Sequence, residues 1–302
     1  ARRLAASGAA EVADLCCGIG SDAFALARQG LRVLAVDRDG DVAAIAEANA
    51  RALGLSSLIE VRRADALAVD LSACDAVFAD PARRVDGRRV YDPARYTPPL
   101  PDLWRAASAV PRRVAKVGPG IDHAAIPADT EAEWVSVDGD VVEAALWNGF
   151  DDAAPRRATL LRGSAVHELA GTGDREAPVG EVGEYLHEPD GAVIRAHLIA
   201  ELSDLLGARL AHPTIAYLYT DSPVDTPLAQ SFRVTAVLPF HVKKLADALR
   251  DRKIGRLTIK KRGADVVPDK LRTRLRLRGD NEATLVVTRV ADRHAALLCE
   301  RL

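Results

Sequence analysis

The chain has no methionine, only seven lysines against 34 arginines, four cysteines and seven histidines in 302 residues. Cys16, Cys17, Cys74 and Cys299 stand at no metal-ligand spacing and form no disulfide framework, which excludes a metal-stapled or disulfide-stapled scaffold and fits a reduced, cytoplasmic setting. His123, His167, His187, His197, His212, His241 and His294 are scattered without a metal-spaced pair, so no metal is expected. No segment approaches the roughly 20 apolar residues needed to cross a bilayer. Residues 1–10 are too short and too interrupted by polar groups for a signal peptide. They read as the tail of a helix, with residue 1 a truncated or processed start. The preference for arginine over lysine and the abundance of alanine reflect GC-rich coding more than function.

What is present is an ordinary soluble composition, 48% hydrophobic and 28% charged, in a chain long enough for two or three domains. The net charge of −2 conceals a split: residues 241–302 carry +9 and residues 1–240 carry −11. A basic module on an acidic body is the footprint of a polyanion-binding appendage; the bland alternative is a solvated basic face.

The stretch that organises the chain is EVADLCCGIGSD at residues 11–22. An apolar strand at 12–15 runs into a Gly18-x-Gly20 turn, and an Ala-rich helix follows. Glycines at the carboxyl end of a first strand let backbone approach a ligand, and the helix start offers unpaired N–H groups. A second strand, 31–36, ends in Asp37, which suits the ribose hydroxyls of NAD and of S-adenosylmethionine (SAM) equally. The downstream spacing separates the two. A third strand, 59–62, is followed by Ala64-Asp65-Ala66, and a fourth, 76–79, ends in Asp80-Pro81-Ala82-Arg83. These last two stretches have no standard place in an NAD site.

Strands at 12–16, 31–36, 58–63 and 75–79, with helices at 21–29 and 40–53, predict an α/β fold with a parallel sheet covered on both faces. Residues 85–101, with Arg88, Arg89, Tyr91, Arg95, Tyr96 and Pro93, Pro98 and Pro99, read as an active-site lid. A helix at 100–109 and a strand at 112–117 follow. Strands at 133–137 and 141–147 around an Asp138–Asp140 turn predict an antiparallel hairpin, with an edge strand at 157–162. Residues 163–183 read as a linker. Beyond them come a helix at 193–206, strands at 214–219 and 232–238, a helix at 241–250, a strand at 255–262, a helix at 268–275 and strands at 284–290 and 295–299.

The four spaced stretches resemble those of the Rossmann-like class I SAM-dependent methyltransferases, whose sheet closes with an antiparallel hairpin. The resemblance implies that Asp14 and the Gly18/Gly20 loop hold the methionine end of SAM, Asp37 the ribose and Asp65 the adenine amine, with Cys16, Asp22 and Ala66 also in the cofactor site. Asp80, Pro81 and Arg83 would then line the methyl-transfer pocket. The C-terminal run KKLADALRDRKIGRLTIKKRGADVVPDKLRTRLRLRGDNEATLVVTRV is similar to the THUMP-like domain of a bacterial methyltransferase family, and GEYLHEPDGAVIRAHLIAELSDLLG to its ferredoxin-like unit. Members of that family usually carry a further helical segment at the N-terminus. The expected organisation is a SAM-dependent methyltransferase domain at 1–163, a ferredoxin-like α+β unit at 164–240 and a basic THUMP-like domain at 241–302.

Methyl transfer from a sulfonium is an in-line displacement that needs position and dryness rather than a metal. In amino-methylating enzymes an Asp or Asn followed by Pro-Pro-aromatic sets a side-chain oxygen and a backbone carbonyl against the target NH₂. Here Ala82 replaces the second proline and Arg83 the aromatic, so Tyr91 or Tyr96 is the candidate stacking ring, with ordinary loop packing the alternative. The bland alternative for Asp80 is a structural salt bridge to Arg83 or Arg84. Cys16 and Cys17 belong to the cofactor turn, Cys74 precedes the fourth strand, and none stands in a Pro-Cys or Thr-Cys context near the catalytic stretch, which disfavours the cysteine-dependent methylation of a pyrimidine carbon and favours a nitrogen acceptor. The RNA-binding candidates are Arg84, Tyr91, Tyr96, Lys260, Lys261, Arg262, Arg272, Arg274, Arg276 and Arg278. The last four alternate at strand spacing, which would set four guanidinium groups on one face. The expected activity is SAM-dependent methylation of a nitrogen on a base of structured RNA such as tRNA or rRNA. The alternatives are an RNA-binding protein with a catalytically degenerate methyltransferase fold, and a methyltransferase for a small molecule or a protein.

Overall fold

The computed structural model describes residues 1–85 and 87–302, in two compact units, 1–159 and 160–302. In the first unit the parallel strands are β1 (Glu11–Leu15), β2 (Arg32–Asp37), β3 (Ile59–Arg63), β4 (Ala76–Ala79) and β5 (Arg112–Val117). They are joined through helices α1 (Arg2–Ala6), which precedes β1, α2 (Ser21–Ala27), α3 (Gly40–Ala52) and α4 (Leu100–Ala106). Strands β6 (Glu131–Val137) and β7 (Asp140–Asn148) form the closing hairpin, and the chain leaves along β8 (Arg156–Arg162). The strand order is β8-β6-β7-β5-β4-β1-β2-β3. β3, β2, β1, β4 and β5 run parallel, and β7 pairs antiparallel with both β5 and β6.

The sequence explains this order locally. β4 reads AVFA and is buried at every position, as a central parallel strand with both faces covered must be. Asp39 caps α3 by accepting from the amides of Asp41 and Val42. Asp138 and Gly139 both take positive φ, +50° and +97°, which is the two-residue hairpin turn that the twist of flanking strands favours. One apolar layer joins Leu4, Val12, Phe24, Leu26, Phe78, Val114 and Trp147 on one face of the sheet. The other joins Leu15, Val36, Val77 and Leu103.

In the second unit a strand, β9 (Ala165–Gly171), stands where a linker is expected. Exposed and half-buried residues alternate along AVHELAG, but none is buried and the half-buried positions are His167, Leu169 and Gly171, so the sequence shows no apolar row and reads as loop. The main sheet of this unit contains β10 (Tyr185–Pro189), β11 (Arg209–Leu210), β12 (Leu218–Thr220), β13 (Ala229–Pro239), β14 (Ile254–Lys261), β15 (Asn281–Val290) and β16 (Arg293–Arg301). Its order is β11-β12-β10-β13-β16-β15-β14, so strands from residues 185–239 and 254–301 share one sheet. The helix expected at 193–206 is two, α5 (Gly191–Arg195) and α6 (Ile199–Leu206), broken where His197 adopts φ +60°. Helices α7 (Val242–Asp251) and α8 (Pro268–Leu275) seal one apolar layer through Leu245, Leu249, Leu271 and Leu275. A second layer contains Leu186, Tyr217, Tyr219, Phe232 and Leu297.

Helix α1 is tied to β6 by a buried charge. The Glu131 side chain has no exposed surface and accepts from both Arg3 and Arg157 and from the Ala154 amide. The Arg3 guanidinium also lies 4.5 Å over the Trp147 ring. Burial pushes the Glu131 carboxyl up, but the bonds from Arg3 and Arg157 outweigh it and hold it below its usual range. A depressed acid stabilises the fold above its unfolded value, near pH 4.3, and that stability is lost as pH falls through the folded value. Glu131→Gln is expected to destabilise the protein by roughly 3 kcal/mol at pH 7, with a smaller difference below about pH 4, measured by urea unfolding across pH.

Candidate active site

The carboxyl ends of β1 to β4 open into a cavity of about 530 Å³ lined by Cys16, Gly18, Asp37, Asp65, Ala66, Asp80 and Ala82, with Thr97, Pro98 and Pro99 closing it. All four sequence stretches therefore meet at one place. Gly18 takes φ +57°, and a Cβ placed there would meet nothing within 4 Å, so the loop presents bare backbone to open space. Gly20, at φ +97°, is held for a different reason: a Cβ would strike the Phe24 ring at 2.4 Å. Cys16 is the one non-glycine with positive φ in this loop, at +63°. Asp37 accepts from the amides of Gly18 and Asp39, both at 3.0 Å, so it braces the glycine loop while lining the cavity. Asp65 accepts from the Leu67 amide at 2.9 Å.

Three expected cofactor residues lie outside the cavity lining. Gly20 starts α2. Asp22 turns to Lys116, 3.2 Å away. Asp14 has no exposed surface, and neither carboxylate oxygen has a hydrogen-bond partner among the described residues. Burial drives the Asp14 carboxyl well above its usual range, and the nearby charges of Asp22 and Asp80 add to the shift. An orphaned buried carboxylate is costly unless a cation or donor reaches it.

Lys116, on β5, has no place in the sequence reading. Its Nζ lies 3.2 Å from Asp22 Oδ2, 3.2 Å from Asp80 Oδ2 and 3.3 Å from Glu143 Oε2. Burial alone would lower the lysine, but Glu143, Asp22 and Asp80 outweigh it and hold the ammonium above its usual range. Glu143 is itself raised, by burial first, against the pull of Lys116. The available signal was a lysine between buried Ala115 and Val117 in a central strand; the identity of its partners depends on strand order. The salt bridge offered as the bland alternative for Asp80 is made to neither Arg83 nor Arg84: Asp80 pairs with Lys116. Arg83 Nη1 donates to the Val117 carbonyl at 3.1 Å, and Arg84 is exposed. Pro81 is buried behind the cavity.

The loop after β4 is anchored at its root. Ala82 and Thr97 exchange two backbone hydrogen bonds, both at 3.0 Å. Asp86, within the expected lid, lies outside the described residues. Tyr96 is 2% exposed and its hydroxyl accepts from the Gly118 amide, so it packs the loop root and its ring is not available to stack on a base. Tyr91, 63% exposed, is the remaining ring on this loop.

In the second unit the expected strand-like row of arginines is overturned. Arg272 and Arg274 lie in α8, Arg276 caps it at φ +48°, and Arg278 lies beyond. Leu271 and Leu275, four apart and buried, fix the helical period against the alternating arginines. Arg272 is paired to Asp269 at 2.7 Å. Lys260 is bound to Glu188 at 2.6 Å and lies over Phe232, and Arg262 lies over the Tyr217 ring. Lys261, Lys270, Arg274, Arg276 and Arg278 are exposed. Among the described residues, no group of three or more His, Cys, Asp or Glu is arranged to hold a metal ion, and no helix is long and apolar enough to cross a membrane.

A parallel sheet closed by an antiparallel hairpin, with a glycine loop and acids at successive strand ends around one cavity, defines the class I methyltransferase fold. The comparisons with known proteins agree. Residues 12–85 match the methyltransferase domain family and residues 229–301 the THUMP domain-like family. Two relatives from Mycobacterium tuberculosis, strains CDC 1551 / Oshkosh and ATCC 25618 / H37Rv, are named as uncharacterized S-adenosylmethionine-dependent methyltransferases. Each is 34% identical over 298 residues, covering 96% of this chain and 79% of the relative. A crystal structure of a candidate methyltransferase from Porphyromonas gingivalis W83 superposes with a TM-score of 0.79 at 22% identity, over 97% of this chain and 77% of that one. The chain belongs to the SAM-dependent methyltransferase family that carries a THUMP-like domain, and SAM is its cofactor.

The residues present fit that cofactor: Asp14 is an orphaned acid, Gly18 gives bare backbone, and Asp37 and Asp65 flank one cavity. An acid raised on folding stabilises the fold below its unfolded value, near pH 3.9, and that stability is lost as pH rises toward the folded value. Asp14→Asn is expected to melt higher than wild type at pH 8, with the gap narrowing toward pH 4, while binding SAM at least about tenfold more weakly. Differential scanning fluorimetry across pH, paired with calorimetry, checks both.

Proposed function

We propose that the methyl acceptor is a nitrogen of a base in structured RNA. The observation that carries this reading is the THUMP-like module at residues 229–301, with exposed Lys261, Lys270, Arg274, Arg276 and Arg278 within residues 241–302, whose net charge is +9. THUMP-type domains are associated with structured RNA, and exposed guanidinium and ammonium groups track phosphates. We read residues 164–240 as the ferredoxin-like unit and 241–302 as the THUMP-like domain of one RNA-binding module.

At the cavity, Asp80 accepts a hydrogen bond from the target amine, and the Pro81 carbonyl accepts the second. Arg83, held at the Val117 carbonyl, and Arg84, with exposed Tyr91, meet the nucleotide outside. SAM, when bound, supplies a methyl group made electrophilic by its sulfonium. Asp14 and the Gly18 loop receive its methionine end, Asp37 its ribose, and Asp65 and Ala66 its adenine. The thiols favour nitrogen over carbon. Burial, followed by Asp37 and Asp14 for Cys16 and by Asp14 and Asp37 for Cys17, pushes both up to about 12, which leaves no nucleophilic thiolate at neutral pH.

Incubating the protein with tritiated SAM and total RNA from cells lacking the gene is expected to label RNA. Asp80→Ala is expected to reduce the label at least about 100-fold. SAM binding without label in any RNA would overturn the reading in favour of a protein or small-molecule acceptor, or of a binding protein degenerate at Ala82-Arg83. Reversing Lys261, Arg274, Arg276 and Arg278 to glutamate is expected to weaken RNA binding and flatten its dependence on salt, measured by filter binding from 50 to 300 mM KCl.

A further inference from the structure

Four carboxylates surround one ammonium at the head of this sheet. Asp14 comes from β1, Asp22 from the first turn of α2, Asp80 from the end of β4 and Glu143 from β7. Lys116 touches the last three within 3.3 Å, with its side chain 19% exposed, and its charge is felt by Asp14. Lys116 is the cation paired with Asp80, since Arg83 is turned to a backbone carbonyl. Like charges this close cannot all remain ionised without a counter-charge; one or more takes up a proton. Asp80 also needs one oxygen fixed toward the cavity if it is to accept from an amine, and its Oδ2 is the atom held by the lysine.

We propose that Lys116 is a positioning residue: it fixes Asp80 with one oxygen toward the cavity, and its charge offsets those of Asp22, Asp80 and Glu143, so that fewer protons are held among these acids when a cationic donor arrives. The orienting role rests on the reading of Asp80 given above; the charge-holding role does not. SAM carries an ammonium and a sulfonium, so its arrival replaces protons held by these acids, and the released protons pass to buffer. Without Lys116, the like charges of this cluster lack their counter-charge, so the cluster as a whole holds more protons before SAM binds and more leave when it does. Glu143 acts in the opposite sense, because it competes with Asp80 for the same ammonium.

The test is the number of protons released per SAM bound at pH 7, from calorimetry in phosphate and in Tris, whose ionisation heats differ. Lys116→Met is expected to release at least about half a proton more than wild type, with the SAM dissociation constant changed less than about threefold. Lys116→Arg is expected to match wild type. Glu143→Gln, which leaves the lysine in place, is expected to release fewer, and decides the matter if Lys116→Met does not fold. In the RNA-labelling assay, Lys116→Met is expected to lower the label at saturating SAM, while Lys116→Arg keeps it. An unchanged proton count in Lys116→Met overturns the proposal, as does a count that moves in the same direction in Glu143→Gln. A large loss of SAM affinity with an unchanged count makes Lys116 a simple donor contact and likewise overturns it. If no RNA accepts label, the RNA reading fails while the proton count still decides the role of Lys116.

Discussion

Repulsion among acids at the carboxyl ends of parallel strands is the constraint that the rest of the first unit answers to. Two carboxylates ~5 Å apart repel by roughly 3 kcal/mol at an effective dielectric near 20. A parallel sheet brings its strand ends to one edge, so acids on β1 and β4 and at the start of α2 are forced together by topology alone. Lys116 reaches the cluster because β5 lies next to β4, and Glu143 because β7 lies next to β5. The antiparallel hairpin therefore does more than close the sheet: it carries a member of the charge cluster. Away from this point the acids are satisfied by backbone, Asp37 by the glycine loop and Asp39 by the first turn of α3.

Most of the methyltransferase unit was legible in the sequence because its strands are short, apolar and punctuated by glycine and aspartate. Asp37, Asp65 and Asp80 were readable for the same reason: each ends a strand, and strand ends in such sheets face one cavity. Lys116 and Glu143 were not, since their significance lies in strand order, and neither sits at a motif. Tyr96 was misjudged because a loop tyrosine looks alike whether its ring faces out or its hydroxyl seals a turn. The C-terminal arginines show a conflict of periods. Alternation by two is strict in RTRLRLR, yet Pro268 at the helix start and Leu271 and Leu275 at a spacing of four decide for a helix.

The second unit has a different logic. Its sheet is covered on one face by α7 and α8, whose inner leucines leave the charged residues pointing outward. Several of its basic groups are already engaged: Lys260 by Glu188, Arg272 by Asp269, and Arg262 against Tyr217. Exposed positive charge remains at the end of β14 and along α8, at Lys261, Lys270, Arg274, Arg276 and Arg278, and also at Lys243, Lys244, Lys253 and Arg293. Buried His187, bonded to Ser231 at 2.8 Å and Thr220 at 2.9 Å and lowered by burial, stays neutral and belongs to the core.

The double hydrogen bond between Ala82 and Thr97 separates the acceptor side of the cavity from the donor side. The loop between these residues has a fixed entry and exit, and Arg83 and Tyr96 brace its root, so a change of charge at exposed positions between them leaves the spacing of Asp80 from the glycine loop untouched. The acceptor side of the cavity can thus be altered through exposed loop positions such as Arg84 and Tyr91 without disturbing the donor side.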